Sequence, residues 1–205
     1  MAEILTAEDM DLAVHILTES FMKYPVPGGM IKDEERRRKI LKLIWEHELA
    51  RVLPISYSFF DDEKIAFGVL CPLGKFIGLP VNISPEFVQK AREIPVHQDE
   101  ARHLMGVDAE GGKIRRSFNL PPDTIYLYSV GVLPGHQGKG TGTAIIKRML
   151  AKVDELKKDA YLETHTEQNA RYYARFGFET IKQTVNEELG ITEWYMIRKP
   201  GGGKA

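Results

Sequence analysis

The sequence predicts an α/β fold: a mixed, mostly antiparallel sheet with helices on both faces. Three patterns carry this expectation. The apolar runs Ile55–Phe60 and Ile65–Cys71 flank the polar turn Asp61-Asp62-Glu63-Lys64, which reads as an antiparallel hairpin. From Thr124 the chain alternates strand, helix, strand, helix, strand, the signature of crossover connections. The segments Phe178–Thr184 and Ile191–Ile197, joined by a turn at 186–190, form a closing hairpin.

Taken in order, Ala2–Leu5 is a short strand candidate. Thr6 then caps a helix that carries Glu8 and Asp9 in its first turn, where the positive end of the helix dipole favours acids. Its apolar face is Leu12, Ile16, Leu17 and Phe21, and it stops before Pro25. Tyr24 to Gly29, rich in proline and glycine, is expected to be a loop. Asp33 opens a longer helix with Ile40, Leu41, Ile44, Trp45, Leu49 and Val52 on one side, closed by Pro54. Residues 72–83 are expected to be a loop, and Ser84-Pro85 starts a helix as cap and first helical position. Beyond it, helical signals weaken, broken by Pro95 and Gly111-Gly112. Thr124–Val132 is the strongest strand. It is followed by a glycine-rich turn, a helix over 140–156, a strand over Ala160–Thr164 and a helix over Glu167–Arg175. With 205 residues, the expectation is one domain over 1–200, a helical insertion near 84–118 and a disordered tail at 201–205.

Composition removes several function classes. There are 28 basic and 29 acidic residues, a net charge of -1, so no electrostatic footprint for nucleic acid or an anionic membrane is expected. One cysteine, Cys71, excludes an internal disulfide framework and a multi-cysteine metal site. The remaining histidines show no metal-binding spacing, so no metal is expected. The first residues lack a basic n-region, and no apolar run reaches about 18 residues, so a cytoplasmic protein is expected.

The sharpest segment runs from Val130 to Thr143. A strand enters a loop with glycines at 138, 140 and 142, and a helix begins there. Glycine lets main-chain N–H groups approach an anion, and first-turn amides have no partner inside the helix. Strand, glycine loop, helix is therefore a site for a diphosphate. Charge agrees: Thr124 to Val153 holds no carboxylate, where about four are expected, and carries Lys139, Lys147, Arg148 and Lys152. The nucleotide P-loop is excluded because Leu133 stands where its first glycine belongs. The dinucleotide fingerprint fails too, its last glycine falling on Thr143 or Ile145.

The pattern Gln137-Gly138-Lys139-Gly140-Thr141-Gly142 resembles the acetyl-CoA loop of the GNAT superfamily of N-acetyltransferases, and Val130-Gly131-Val132 with Pro134 resembles its splayed central strand. A second motif follows in the right order: Leu162-Glu163-Thr164, then Asn169, then Tyr173 with Gly177-Phe178. The resemblance implies a GNAT-like fold whose splayed strands hold acetyl-CoA. Val130, Gly131 and Val132 would pair with the pantetheine arm; Gln137 and the amides of Gly138 to Thr143 would bind the pyrophosphate. It implies that Tyr173 protonates the leaving thiolate, in competition with a packing role. Asn169 is divided between the pantetheine amide and a helix cap. A narrower similarity, to puromycin N-acetyltransferase-like small-molecule enzymes, rests on Phe21 to Pro25, the glycine loop, Leu162-Glu163-Thr164 and Trp194 to Pro200.

The acceptor amine must lose a proton before it attacks. Glu163 is the leading carboxylate for that task, against a structural role. Tyr24 is expected to border the acceptor pocket, shaping it or relaying a proton. His165 and His136 are read as solvated or loop-flanking, and Cys71 as packing. The expected partner is a small-molecule primary amine, attacking directly in a ternary complex; a homodimer stays open. Acetylation of a peptide amine and a non-catalytic coenzyme-binding module are the competing readings.

Overall fold

The computed structural model describes residues 6–80, 83–95, 97–187 and 190–202. The strand expected at Ala2–Leu5 and the end of the expected tail, 203–205, lie outside them. Thr6 caps α1 (Ala7–Phe21) with a reciprocal capping box to Asp9. Next come α2 (Pro25–Met30), α3 (Glu34–Val52), β1 (Tyr57–Phe60), β2 (Ala66–Pro72), α4 (Leu73–Ile77), α5 (Pro85–Glu93) and α6 (Gln98–Ser117). The chain continues through β3 (Ile125–Val132), α7 (Thr141–Leu156), β4 (Ala160–Thr164), α8 (Glu167–Ala174), β5 (Glu179–Asn186) and β6 (Ile191–Arg198). The described strands form one sheet in the order β1-β2-β3-β4-β6-β5, antiparallel except for β3 against β4.

Three expected loops or breaks are helical. The Pro-Val-Pro-Gly-Gly-Met run folds as α2 because proline suits a first helical turn. Its flanks are tied down by the buried Arg37 guanidinium, which donates to the carbonyls of Met22 (2.6 Å), Ile31 (2.8 Å) and Lys32 (3.1 Å). Residues 73–77 form α4, anchored by the Leu73 and Gly74 amides on the carbonyls of Thr124 and Pro122. α6 runs straight through Gly111-Gly112; two glycines cost about 1 kcal/mol each, and the contacts of Ile114, Arg115 and Phe118 with the core outweigh that.

β3 divides the core. Tyr126 and Tyr128 pack with α1 and α3, while Ile125 and Leu127 pack with α7. The β2–β3 register jumps from Val69↔Ser129 to Leu70↔Leu127, leaving Tyr128 as an extra residue. This bulge bends the strand and re-aims its side chains. β3 and β4 pair only at Ile125↔Ala160 and Tyr126↔Tyr161 and separate beyond. Gly131 exists for packing: a Cβ there would stand 2.7 Å from Ser20 Oγ and 3.0 Å from Leu17 Cδ2 of α1.

Arg198 ties the end of β6 to α7 through both Asp154 oxygens (2.7 and 2.9 Å) and to the Phe176 carbonyl (2.9 Å). The Arg198 hydrogen bonds are the main cause that lowers the Asp154 carboxyl from its ordinary value near 3.8. A lowered acid stabilises the fold above its unfolded value, and that stabilisation disappears as pH falls through the folded one. Asp154→Asn is therefore expected to be less stable than the parent at pH 7, with the difference shrinking at pH 3. Urea denaturation at the two pH values measures it.

Candidate active site

Where β3 and β4 part, a cleft of about 980 Å³ opens, lined by the glycine loop, the free edge of β3, β4, α8 and residues of α1 and α3. Its mouth is the start of α7. Gly138 (φ +75) and Gly140 (φ +96) adopt the left-handed region, and no protein atom lies within 4 Å of a Cβ built on either. The amides from Gly138 to Thr143 donate to no acceptor among the described residues, while the Ala144 amide already bonds the Gly140 carbonyl. Lys139 is exposed beside them. Arg175, on the same rim, stacks its guanidinium 4.6 Å from the Tyr172 ring centroid. Unspent donors at a helix start are an arrangement that can receive an anion.

Gln137 differs from expectation. Its side-chain amide donates 2.9 Å to the Val132 carbonyl, which also accepts from Ser20 Oγ (3.0 Å). That carbonyl is therefore engaged within the protein, and Gln137 braces the strand end. Thr143 Oγ1 hydrogen-bonds the Tyr172 hydroxyl at 3.0 Å, linking α7 to α8. Asn169 is not the cap of α8: Thr166 is, accepting the Asn169 amide at 3.1 Å. The Asn169 side chain, near Tyr24, lowers the Tyr24 phenol slightly against the larger raising effect of burial.

Tyr173 lines the cleft, half-buried, its ring edge-on to Phe178. Burial, then the neighbouring Tyr24 and Tyr172, raise its phenol above the ordinary value, so it stays protonated at neutral pH. Glu163 also lines the cleft, but its carboxylate is saturated. Arg115 grips it with two bonds (2.6 and 2.7 Å), Tyr161 donates at 2.7 Å and Tyr126 at 3.2 Å. Arg115 and Glu163 side chains are 10% and 8% exposed, a buried pair. A carboxylate holding four donors has no lone pair left for a water or an amine.

Tyr24, the N-cap of α2, is fixed from β4. Its hydroxyl accepts the His165 amide proton (2.9 Å) and lies 3.2 Å from Thr164 Oγ1 and 3.3 Å from His165 Nδ1. A chain of rings lines the cleft beside it: Phe21 packs on Tyr24 and Trp45, Trp45 on Tyr128, and Tyr128 on Tyr126. The Trp45 indole N–H is buried without an acceptor among the described residues. The Tyr128 hydroxyl donates to Glu48 at 2.7 Å. Cys71 is fully buried and its thiol is pushed up to about 12 by burial, so it is no nucleophile at neutral pH.

His165, Arg115, Trp45 and Arg175 escaped the sequence reading as site residues. For His165 a signal existed: β4–β6 pairing extended by one residue past Thr164↔Trp194 sets His165 opposite Glu193.

Residues 100–180 match the family model of the acetyltransferase (GNAT) domain. Three solved structures share the fold. One is described as histone acetyltransferase HPA2 and related acetyltransferase from Corynebacterium glutamicum; it is 17% identical over 96% of this chain and 93% of its own, TM-score 0.63. The C-terminal condensation domain of Ebony, solved with beta-alanyl-dopamine, is 12% identical over 95% and 96%, TM-score 0.60. The PaiA N-acetyltransferase of Thermoplasma acidophilum, solved in complex with coenzyme A, is 13% identical over 95% of both chains, TM-score 0.54. No described helix is long and apolar enough to cross a membrane.

Proposed function

We propose, from the GNAT acetyltransferase domain matched over 100–180, that this chain moves an acetyl group from acetyl-CoA to the primary amine of a small aromatic molecule. One observation carries the reading. A single cleft joins six unspent amides at Gly138–Thr143, the unpaired edge of β3, the Tyr173 phenol and a chain of aromatic rings. Bound acetyl-CoA would supply an activated thioester. The loop amides, with Lys139 and Arg175 at the rim, offer the charge and donors that its pyrophosphate needs. The β3 edge at Val130 offers strand-like pairing to an extended amide arm. Tyr173, kept protonated by burial, donates a proton to the departing thiolate. We assign Glu163 to anchoring Arg115 rather than to proton removal, because its acceptor positions are filled.

The acceptor class follows from the aromatic lining. Phe21, Trp45, Tyr126 and Tyr128 favour an aromatic ring. Four aromatic side chains in one cleft suit a small aromatic molecule. The fold houses an acylated aromatic amine in the Ebony domain. The similarity to puromycin N-acetyltransferase-like enzymes puts aminonucleosides in the first screen, beside arylalkylamines and, as controls, polyamines and peptides. Action in the cytoplasm as a single domain over 1–200 completes the reading.

Calorimetric titration with coenzyme A, followed by a thiol-release screen of amines, tests this. Gly140→Val is expected to raise the coenzyme dissociation constant at least about tenfold, since strain of ~1–2 kcal/mol at a positive φ reshapes the loop and the new side chain projects where the anion would lie. Absence of coenzyme binding by the parent protein overturns the proposal.

A further inference from the structure

His165 connects two places. On one side it lines the cleft and its Nδ1 faces the Tyr24 hydroxyl at 3.3 Å, with the two rings edge-on at 5.6 Å. On the other, its Nε2 is buried, makes no hydrogen bond among the described residues, and stands 3.4 Å from Glu193 Oε1. Both side chains are largely buried, at 16% and 12% exposure. The other Glu193 oxygen accepts from the Tyr195 hydroxyl. Behind His165, a small cavity of about 20 Å³ is shared by Glu110 of α6, Thr184 and Asn186 of β5, and Glu193 of β6. The groups facing the imidazole are thus a phenol at one nitrogen and carboxylates at the other; no lysine or arginine pairs with Glu193 among the described residues.

We propose that Tyr24, His165 and Glu193 form a proton relay that deprotonates the acceptor amine. The inference rests on the acetyltransferase reading above. The amide N–H of His165 donates to the Tyr24 oxygen, and His165 Nδ1 (3.3 Å) and Thr164 Oγ1 (3.2 Å) both lie within reach of its O–H. The substrate ammonium gives a proton to the Tyr24 oxygen as the Tyr24 hydroxyl proton passes to His165 Nδ1. Amine and imidazolium result, and the phenol is regenerated without becoming a phenolate. Burial raises the Tyr24 phenol, so concerted passage avoids a buried anion. Nε2 lies 3.4 Å from the Glu193 carboxylate, and the new cation makes that approach an ion pair. The proton then leaves to solvent. Glu193 positions and stabilises; it does not touch the substrate.

The arrangement requires the Nε2–H tautomer of His165, because Nδ1 accepts. Histidine-labelled 15N spectra of the ligand-free protein are expected to show that tautomer, and Tyr24→Phe to convert it to a mixture. An Nδ1–H tautomer in the parent overturns the relay. Kinetically, His165→Ala and Tyr24→Phe are expected to lower kcat about 100-fold for an arylalkylamine, which is protonated at neutral pH. For a ring-linked arylamine, already neutral there, the loss should be under about tenfold. Raising the assay pH should restore much of the lost kcat for the arylalkylamine. Glu193→Gln should show the same pattern with a smaller loss. Equal losses for both amine classes, with no rescue by pH, mark a structural role and overturn the proposal. If the parent protein releases no thiol with any amine, the function reading falls, and the tautomer result alone decides whether the hydrogen-bonded chain exists.

Discussion

Replacing Tyr173 with phenylalanine is expected to lower turnover by about 100-fold or more while changing the coenzyme dissociation constant by less than about threefold. The phenol is half-buried in the cleft, protonated at neutral pH, and has no hydrogen-bond partner within the protein among the described residues. An unengaged donor of that kind contributes to a step that creates negative charge and little to the resting fold. Its neighbour is the control. The Tyr172 hydroxyl is tied to Thr143, so Tyr172→Phe removes a link between α7 and α8 and leaves the Tyr173 phenol in place. Steady-state thiol release and calorimetry on both variants separate the roles. Equal turnover of Tyr173→Phe and the parent would remove Tyr173 from the chemistry.

Glu163→Ala is expected to lose about 3 to 5 kcal/mol of stability, the usual cost of leaving one partner of a buried pair alone. Arg115 would remain buried between the rings of Phe76 and Tyr126, each 5.2 Å from its guanidinium, with two phenols also losing their acceptor. Arg115→Met combined with Glu163→Leu should recover part of the loss, because neither charge is then stranded. Denaturant titration of the single and double variants measures this. A Glu163→Ala protein as stable as the parent yet inactive would return the carboxylate to proton chemistry.

Much of the fold was legible because its signals are local. The hairpin β1–β2, the strand β3 and the loop into α7 are written in alternating apolar residues and in glycines whose φ values are in fact positive at 138 and 140. What escaped was tertiary in origin. In Pro-Val-Pro-Gly-Gly-Met the proline suited to a first helical turn is outweighed in sequence by the paired glycines; Arg37, reaching from α3, holds both ends of the helix. Glu163 reads in sequence as a candidate base because its partner Arg115 lies 48 residues away, in a helix whose sequence is interrupted by glycine. Gln137 and Gly131 match the loop pattern, yet here they brace Val132 and admit α1. His165 reads as solvated in sequence because the carboxylate beside it, Glu193, comes from across the sheet.

The two matched residue pairs between β3 and β4 make the centre of the sheet a seam between two three-stranded halves. Durability and usefulness compete for that one line of backbone. A change that zipped the seam further would toughen the molecule and shut its working interior, so adaptation towards heat resistance must reinforce the outer helices and leave the middle unstitched.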